Sequence, residues 1–491
     1  MADGFLTCKD HASNVFCYGR LLHDVQVYKI FDNPRVFLEL WARRSPNVIV
    51  SRYKALRPKI KLSESSGREA LEKFVENNFV NKSCHERTVP SDWTAAPRLL
   101  KQIRHGSTRQ RFLSLNRKFE ETYKLTSEAA ESFEHHSTLQ VMHPFHGSSY
   151  VLDYRESWWI YQALMRLGMN TSAKQLIENL AGLVHKCGYV PAENRVYFLG
   201  RGAPPFLAII LEDYYNKTDD KELSERILPL AELDFHYWVN STVNQALSAF
   251  DVFLFSRERQ PLNPRPERYL QDWMRVPVRE NGSVFKSGLT VKSVLWETGE
   301  PKGTVKVKTI AITEWAARSL RRLCQIFKPD QNDDIYRLLS SELLHTIDAL
   351  MYSSYSDQWM DYSPHDGHKE RSLWPVYTGA RGWMDHYQIN NGSDLEETFV
   401  AVDCLLKAGK IELAKRLVVE AFNSADRESQ LSLKNASILV ILISKISDLE
   451  LPQIRMDSDG SAENSRTLLV LCSLTVTAIT SIVIVQKIKF Y

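Results

Sequence analysis

Four stretches of the chain gather charged and aromatic side chains where packing alone does not call for them. His146–Trp159, HGSSYVLDYRESWW, holds Tyr150, Asp153, Arg155 and Glu156 at the start of a predicted helix. Gly188–Pro205, GYVPAENRVYFLGRGAPP, carries Asn194, Arg195 and Arg201 between aromatics and turn residues. Arg265-Pro266-Glu267 is followed by Asp272 and Trp273, and SLWPVYTGARGWMDHY (Ser372–Tyr387) sets Trp374, Trp383 and Asp385 beside small residues. Aromatic faces with planar guanidinium groups and carboxylates suit a polyhydroxylated sugar, which needs stacking surfaces and paired hydrogen bonds. His143 and His146 have no third ligand at metal spacing and read as solvated loop histidines. No Walker loop, Gly-x-Ser-x-Gly elbow or dinucleotide fingerprint is present, and neither a metal nor a cofactor is expected.

The elements that must hold these loops are helical. In SAKQLIENLAGLVHKC (residues 172–187), Leu176, Leu180, Leu183, Val184 and Cys187 fall on one face of a 3.6-residue period, and Gly188 stops the run. Trp158–Met169 forms a second helix joined to it by two or three residues, which predicts an antiparallel hairpin. Further helices are expected at 66–80, 222–240, 309–327, 333–350, 394–408 and 411–424, while strand signals are sparse. Helices in antiparallel pairs without a short repeat point to an all-α array of hairpins and not to a solenoid. The long non-helical stretches 141–157, 188–206, 257–308 and 353–393 are therefore expected to line the site. Residues 1–60 read as an N-terminal arm around a body of residues 61–450.

Composition narrows the functional class. With 62 basic and 59 acidic residues in a chain of 491, the net charge of +3 gives no field that would steer a nucleic acid, and none is expected as a partner. A protein partner is unknown. Thr467–Val485, TLLVLCSLTVTAITSIVIV, carries no charge and is about as long as the ~20 residues needed to cross a bilayer. It is read as a transmembrane helix (467–486), preceded by a polar tether (451–466) and followed by a short basic tail (487–491). Lys487 and Lys489 favour a cytosolic C-terminus and an extracellular or luminal body. The start of the chain shows no basic and apolar signal pattern, which favours the tail-anchored cytosolic alternative. Seven Asn-x-Ser/Thr sequons, at Asn81, Asn170, Asn216, Asn240, Asn281, Asn391 and Asn435, favour the first orientation. The cysteines show no C-x-x-C spacing and no evident disulfide framework.

At these same segments the sequence resembles the trehalases, glycoside hydrolases that split α,α-trehalose into two glucoses. FCYGRLLHDVQ (Phe16–Gln26), FVENNF, PSDW (Pro90–Trp93), SWWIYQALMRLGM, GYVP, NRVYFLGR and RPERY (Arg265–Tyr269) follow the family's order across roughly residues 16–450, with gaps. The resemblance implies an (α/α)6 toroid of the six-hairpin glycosidase type, and a sugar site that uses Arg201, Arg265, Glu267, Asn194, Tyr150 and Glu156.

The resemblance also implies what has been lost. The family's catalytic acid is the Asp of Glu-Ser-Gly-Trp-Asp-Phe-Ser-Ser-Arg-Trp; the matching ENGSVFKSGL (Glu280–Leu289) places Val284 at that position. The family's base, a Glu in a Glu-Lys-Tyr-Asp-type motif, has no counterpart between Phe422 and Ser437. Its sugar-binding Arg falls on Ser148 or Ser149, its Trp-Asp on Arg155-Glu156, and its Pro-Asn-Gly on Pro191-Ala192-Glu193. Inverting hydrolysis needs one acid and one base carboxylate about 6.5–9.5 Å apart. The residues thus imply a membrane-anchored, trehalase-like protein of impaired activity that binds a trehalose-like sugar at most weakly, with no catalytic residue of its own unless Glu280 or Asp272 substitutes. The alternative is an active α,α-trehalase working by inversion.

Overall fold

The computed structural model describes residues 13–82, 85–126, 136–147, 151–247, 252–256, 265–270, 306–329, 334–363, 367–382, 394–425 and 431–446. Its helices are α1 (Arg20–Val27), α2 (Pro34–Leu38), α3 (Pro46–Leu56), α4 (Ser65–Asn78), α5 (Gly106–Glu121), α6 (Tyr154–Leu167), α7 (Asn170–Cys187) and α8 (Phe206–Thr218). They continue with α9 (Lys221–Thr242), α10 (Val307–Phe327), α11 (Asp334–Ala349), α12 (Trp374–Tyr377), α13 (Leu395–Lys407), α14 (Ile411–Ala425) and α15 (Leu433–Lys445). The apolar face read in 172–187 is the buried face of α7, which ends where Gly188 takes φ 80°, a left-handed turn that a side chain would strain. Asp153 starts α6 by accepting the Arg155 N–H at 2.8 Å.

Consecutive helices joined by short turns pack as hairpins: α6 with α7, α8 with α9, α10 with α11 and α13 with α14, while α15 packs on α5. One member of each pair touches the next in turn. Helix α6 packs on α8, α8 on α10, α10 through α12 on α13, α13 on α15, and α15 back on α6. First-turn residues of these helices meet one another. Lys308 of α10 and Lys434 of α15 both pair with Glu396 of α13, and the Tyr154 hydroxyl of α6 accepts the Leu207 N–H of α8 at 2.8 Å. The inner helices therefore run parallel, with their N-termini at one end. Aromatic rings fill the space they enclose: Trp158 meets Trp315 at 5.0 Å, and Trp159 meets Phe399 at 5.0 Å and Trp374 at 6.4 Å.

Short antiparallel ribbons qualify the all-α reading. They pair β1 (Trp41–Ala42) with β2 (Phe79–Val80), set β4 (Tyr123–Thr126) between β3 (His85–Arg87) and β5 (Phe145–His146), and pair β6 (Val243–Leu247) with β7 (Val252–Ser256). A last sheet runs β8 (Tyr352–Ser353), β9 (Gln358–Ser363) and β10 (Gly367–Arg371). Strands this short leave no alternation that a sequence window can register.

The N-terminal segment enters the same core as the helices. Phe16 lies 6.2 Å from Phe37, which lies 5.2 Å from Phe79, and the Ser137 hydroxyl donates to the Leu38 carbonyl at 2.6 Å. His146 departs from the solvated loop expected of it. It is buried in β5, 4.7 Å from the Tyr123 ring, and neither ring nitrogen has a hydrogen-bond partner among the described residues. Burial pushes its pKa down to about 3. Cys17 is disulfide-bonded, a pairing that the cysteine spacing does not reveal. Among the described residues no helix is long and apolar enough to cross a membrane, and Thr467–Val485, its tether and its basic tail lie outside them.

Candidate functional site

The loop between α7 and α8 folds back over the N-terminus of α6. Tyr154 N–H donates to the Ala192 carbonyl at 3.0 Å, Asn194 N–H to Leu152 at 3.1 Å and Ala192 N–H to Arg201 at 2.9 Å, so the loop is hydrogen-bonded along both flanks. Asp234 of α9 fixes its start. The Asp234 carboxylate accepts the Val190 N–H at 2.8 Å and the Tyr154 hydroxyl at 2.6 Å; full burial, with no cation in contact, pushes its pKa up to about 7. Tyr189 and Tyr237 stack at 3.7 Å, and a Cβ on Gly202 would come within 3.3 Å of Tyr237, so the bare backbone there permits the close approach.

Within this frame Arg201 and Glu267 form a two-pronged ion pair at 2.7 and 3.2 Å, with side chains 12% and 8% exposed. The Arg201 guanidinium also lies 4.0 Å from the Phe198 ring. Burial alone would raise the Glu267 pKa, but Arg201 outweighs it and holds the carboxylate ionised. Arg265 stands at the start of the turn that carries Glu267, half-buried. Of the residues read as one site, then, Arg201 and Glu267 are brought into contact and Arg265 is their neighbour.

Other expected residues are placed differently. Asn194 is fully buried and its amide serves the backbone: Oδ1 accepts the Leu152 N–H at 2.9 Å and Nδ2 donates to Leu139 at 3.1 Å. Its geometry is that of a loop fastener. Glu156, in the first turn of α6, accepts no hydrogen bond among the described residues. Burial first, then the adjacent Asp153, push its pKa up to about 7 against the opposing Lys434 and Arg155. Tyr150, Asp272, Glu280 and Val284, with Ser148, Ser149, Trp383 and Asp385, lie outside the described residues.

Further ion pairs complete this end of the molecule, some through Arg155 and Arg195 and others through charged groups that the sequence did not single out. Glu193, 3% exposed, takes both prongs of Arg35 at 3.0 Å and Arg155 at 3.1 Å. Glu39 takes Arg195 at 3.0 and 2.7 Å. Glu396 is held below its usual pKa by Lys308 and Lys434 despite burial. Lys308 also lies 4.9 Å from the Trp374 ring, whose N–H donates to Glu397 at 3.1 Å; burial raises the Glu397 pKa. Lys308 and Lys434 left a sequence signal, because a lysine at the second position of a helix opposes the helix dipole and calls for a partner. Arg35 left none. Chemically, the arrangement offers aromatic faces, paired guanidinium groups and one uncommitted carboxyl near neutrality. Among the described residues no cluster of three or more His, Cys, Asp or Glu side chains could hold a metal.

The sequence model of the trehalase family matches residues 29–282, just over half of the chain. The chain is 28% identical over 404 residues to the trehalase of Apis mellifera and 25% identical over 389 residues to that of Homo sapiens. These alignments take in 77% and 74% of this chain but 64% and 66% of the relatives' own lengths. Among solved structures, the neutral trehalase Nth1 of Saccharomyces cerevisiae superposes with a TM-score of 0.48 at 13% identity, over 61% of this chain and 73% of that one. By the extent of the family match and the order of its motifs, the chain belongs to the trehalase family.

Proposed function

We propose that this protein is a sugar-binding trehalase-family member of impaired hydrolytic activity, built on an (α/α)6 toroid. The hairpin packing and the closed circuit of parallel inner helices support the toroid. The single observation that carries the functional reading is the valine at position 284, where the family's motif has its catalytic acid. A valine cannot protonate a leaving oxygen, and proton transfer is worth about 10²–10⁴-fold per group. With the base segment also missing, turnover falls near background. The retained Arg201–Glu267 pair keeps one polar wall for a trehalose-like sugar, but Ala192 and Ala203 offer no side-chain hydrogen bond, so binding is weak. Release of glucose from trehalose by the purified chain tests this: none above background is expected, and turnover at an ordinary glycosidase rate would overturn it.

One observation favours the second reading, an active inverting α,α-trehalase. Glu156, with its pKa pushed up to about 7 and no hydrogen bond among the described residues, has the proton affinity of a general acid at neutral pH. If it serves, Glu156→Gln abolishes a measurable glucose release; release that persists in the variant would assign the role to another carboxyl, such as Glu280 or Asp272.

We further propose a single-pass protein, anchored by Thr467–Val485 with residues 1–466 extracellular or luminal. Asn81, Asn170, Asn216 and Asn240 of the sequons are exposed and open to glycosylation, and the Cys17 disulfide belongs to an oxidising compartment. The tail-anchored orientation, with a cytosolic body, is the opposite outcome of the same test.

A further inference from the structure

At the far end of the ring, where the inner helices finish, lies a cavity of about 450 Å³ open to solvent. Its wall carries Arg98, Arg166, Lys217 and Lys445 together with Gln102 and Ser444, and no acidic residue. The cations come from four separate segments: the turn before α5, and the last turns of α6, α8 and α15. Last-turn cations also offset a helix dipole. That role does not require three of them to face one cavity, nor a fourth from outside the ring.

Their existing partners leave positive charge over. Lys217 pairs with Asp213 at 2.6 Å, and Lys445 with Asp403 at 2.5 Å, but Asp403 also takes Lys407 at 2.9 Å. Arg166 hydrogen-bonds to neutral groups: Nε donates to the Ser444 hydroxyl at 2.9 Å, and Nη1 to the carbonyl and side chain of Gln162 at 2.9 and 2.5 Å, while Asp213 and Asp403 act on it without a direct ion pair. Its Nη2 has no hydrogen-bond acceptor among the described residues. Burial lowers its pKa, outweighing the opposing pull of Tyr377, Asp213 and Asp403. Arg98 is exposed at the rim with no ion pair among the described residues. A planar guanidinium with a free edge beside further cations is a receptor for a tetrahedral oxyanion.

We infer that this cavity binds a phosphate-bearing anion, at a site distinct from the sugar-facing end of the ring. Its volume exceeds that of inorganic phosphate, and Leu99 and Met165 give it an apolar side, so a small phosphate ester fits better than the free ion.

The probes are inorganic phosphate, glucose 6-phosphate and glucose, each titrated into the full chain, with ³¹P NMR for the first two and calorimetry for all three. Saturable binding of inorganic phosphate at one site per chain is expected, with Kd on the order of 1 mM at low salt and weaker at high salt. Glucose 6-phosphate should bind more tightly and displace phosphate, and glucose should leave it bound. Arg166→Gln should weaken phosphate binding by about tenfold or more, since a charge-assisted contact is lost. Arg98→Ala, at an exposed position that the fold does not need, should weaken it several-fold and serves if the Arg166 variant does not fold. Lys73→Ala, on the exposed face of α4, should change nothing. No saturable binding, binding untouched by Arg98→Ala, or displacement of phosphate by glucose alone would each overturn the site. None of these outcomes depends on whether trehalose is hydrolysed.

Discussion

Glu156 and Glu267 are carboxyl groups near the same end of the molecule, and their surroundings drive them in opposite directions. Burial with no hydrogen-bond donor pushes Glu156 up to about 7, whereas Arg201 holds Glu267 ionised despite comparable burial. A group whose folded pKa exceeds its unfolded value near 4.5 binds extra protons in the folded state, so its contribution to stability falls as pH rises from about 4.5 to 7. Glu156→Gln should therefore raise the melting temperature more at pH 8 than at pH 5, and equal effects at both would show that Glu156 is ionised throughout. Glu267→Gln should act oppositely, leaving the Arg201 guanidinium buried without its counter-charge at a cost of about 3–5 kcal/mol, read as a lower denaturant midpoint. Arg201 and Glu267 were legible as a site because their motifs were; that they contact each other was not, since 66 residues separate them.

Helices were the most legible elements, for a physical reason. The face of α7 repeats over five turns, and Gly188 marks its end, so periodicity and punctuation agree. Helices α1, α2, α3, α5, α8 and α12 went unread. Helix α8, FLAIILEDYYNKT, is buried nearly all round in its first turns and shows no polar face to set a period, while α5 carries charges on most sides. Ribbons of two to six residues were illegible for lack of length. What holds α6, α8, α9 and the site loop in register is one buried carboxyl, Asp234, whose role depends on residues 80 and 44 positions away. Asp234→Ala should leave the Val190 N–H and the Tyr154 hydroxyl without that acceptor, at about 1–3 kcal/mol for each, while Asp234→Asn should cost less. Thermal melts of the two variants check this, and equal losses would remove the hydrogen-bonding account.

At the scale of the whole molecule, parallel inner helices give the ring two chemically different ends. The N-terminal end gathers Glu156, Glu193, Glu267, Glu396 and their basic partners, and the C-terminal end gathers cations around an open cavity. Digestion with a glycan-removing enzyme should increase the gel mobility of the protein made in a secretory host, because four sequons lie exposed; an unshifted, unglycosylated body would favour the cytosolic orientation. The trehalase frame was legible from motif order alone, whereas its catalytic competence turns on position 284, outside the described residues, and on a base segment not found in the sequence. The measurement that bears most directly on the central claim is glucose release from trehalose by the purified full chain, followed from pH 5 to 8 beside its Glu156→Gln variant. The expected result is no release above the uncatalysed background from either protein. Turnover of about 1–10³ s⁻¹, the ordinary range for enzymes, would contradict the account, and its loss in Glu156→Gln would identify the carboxyl responsible.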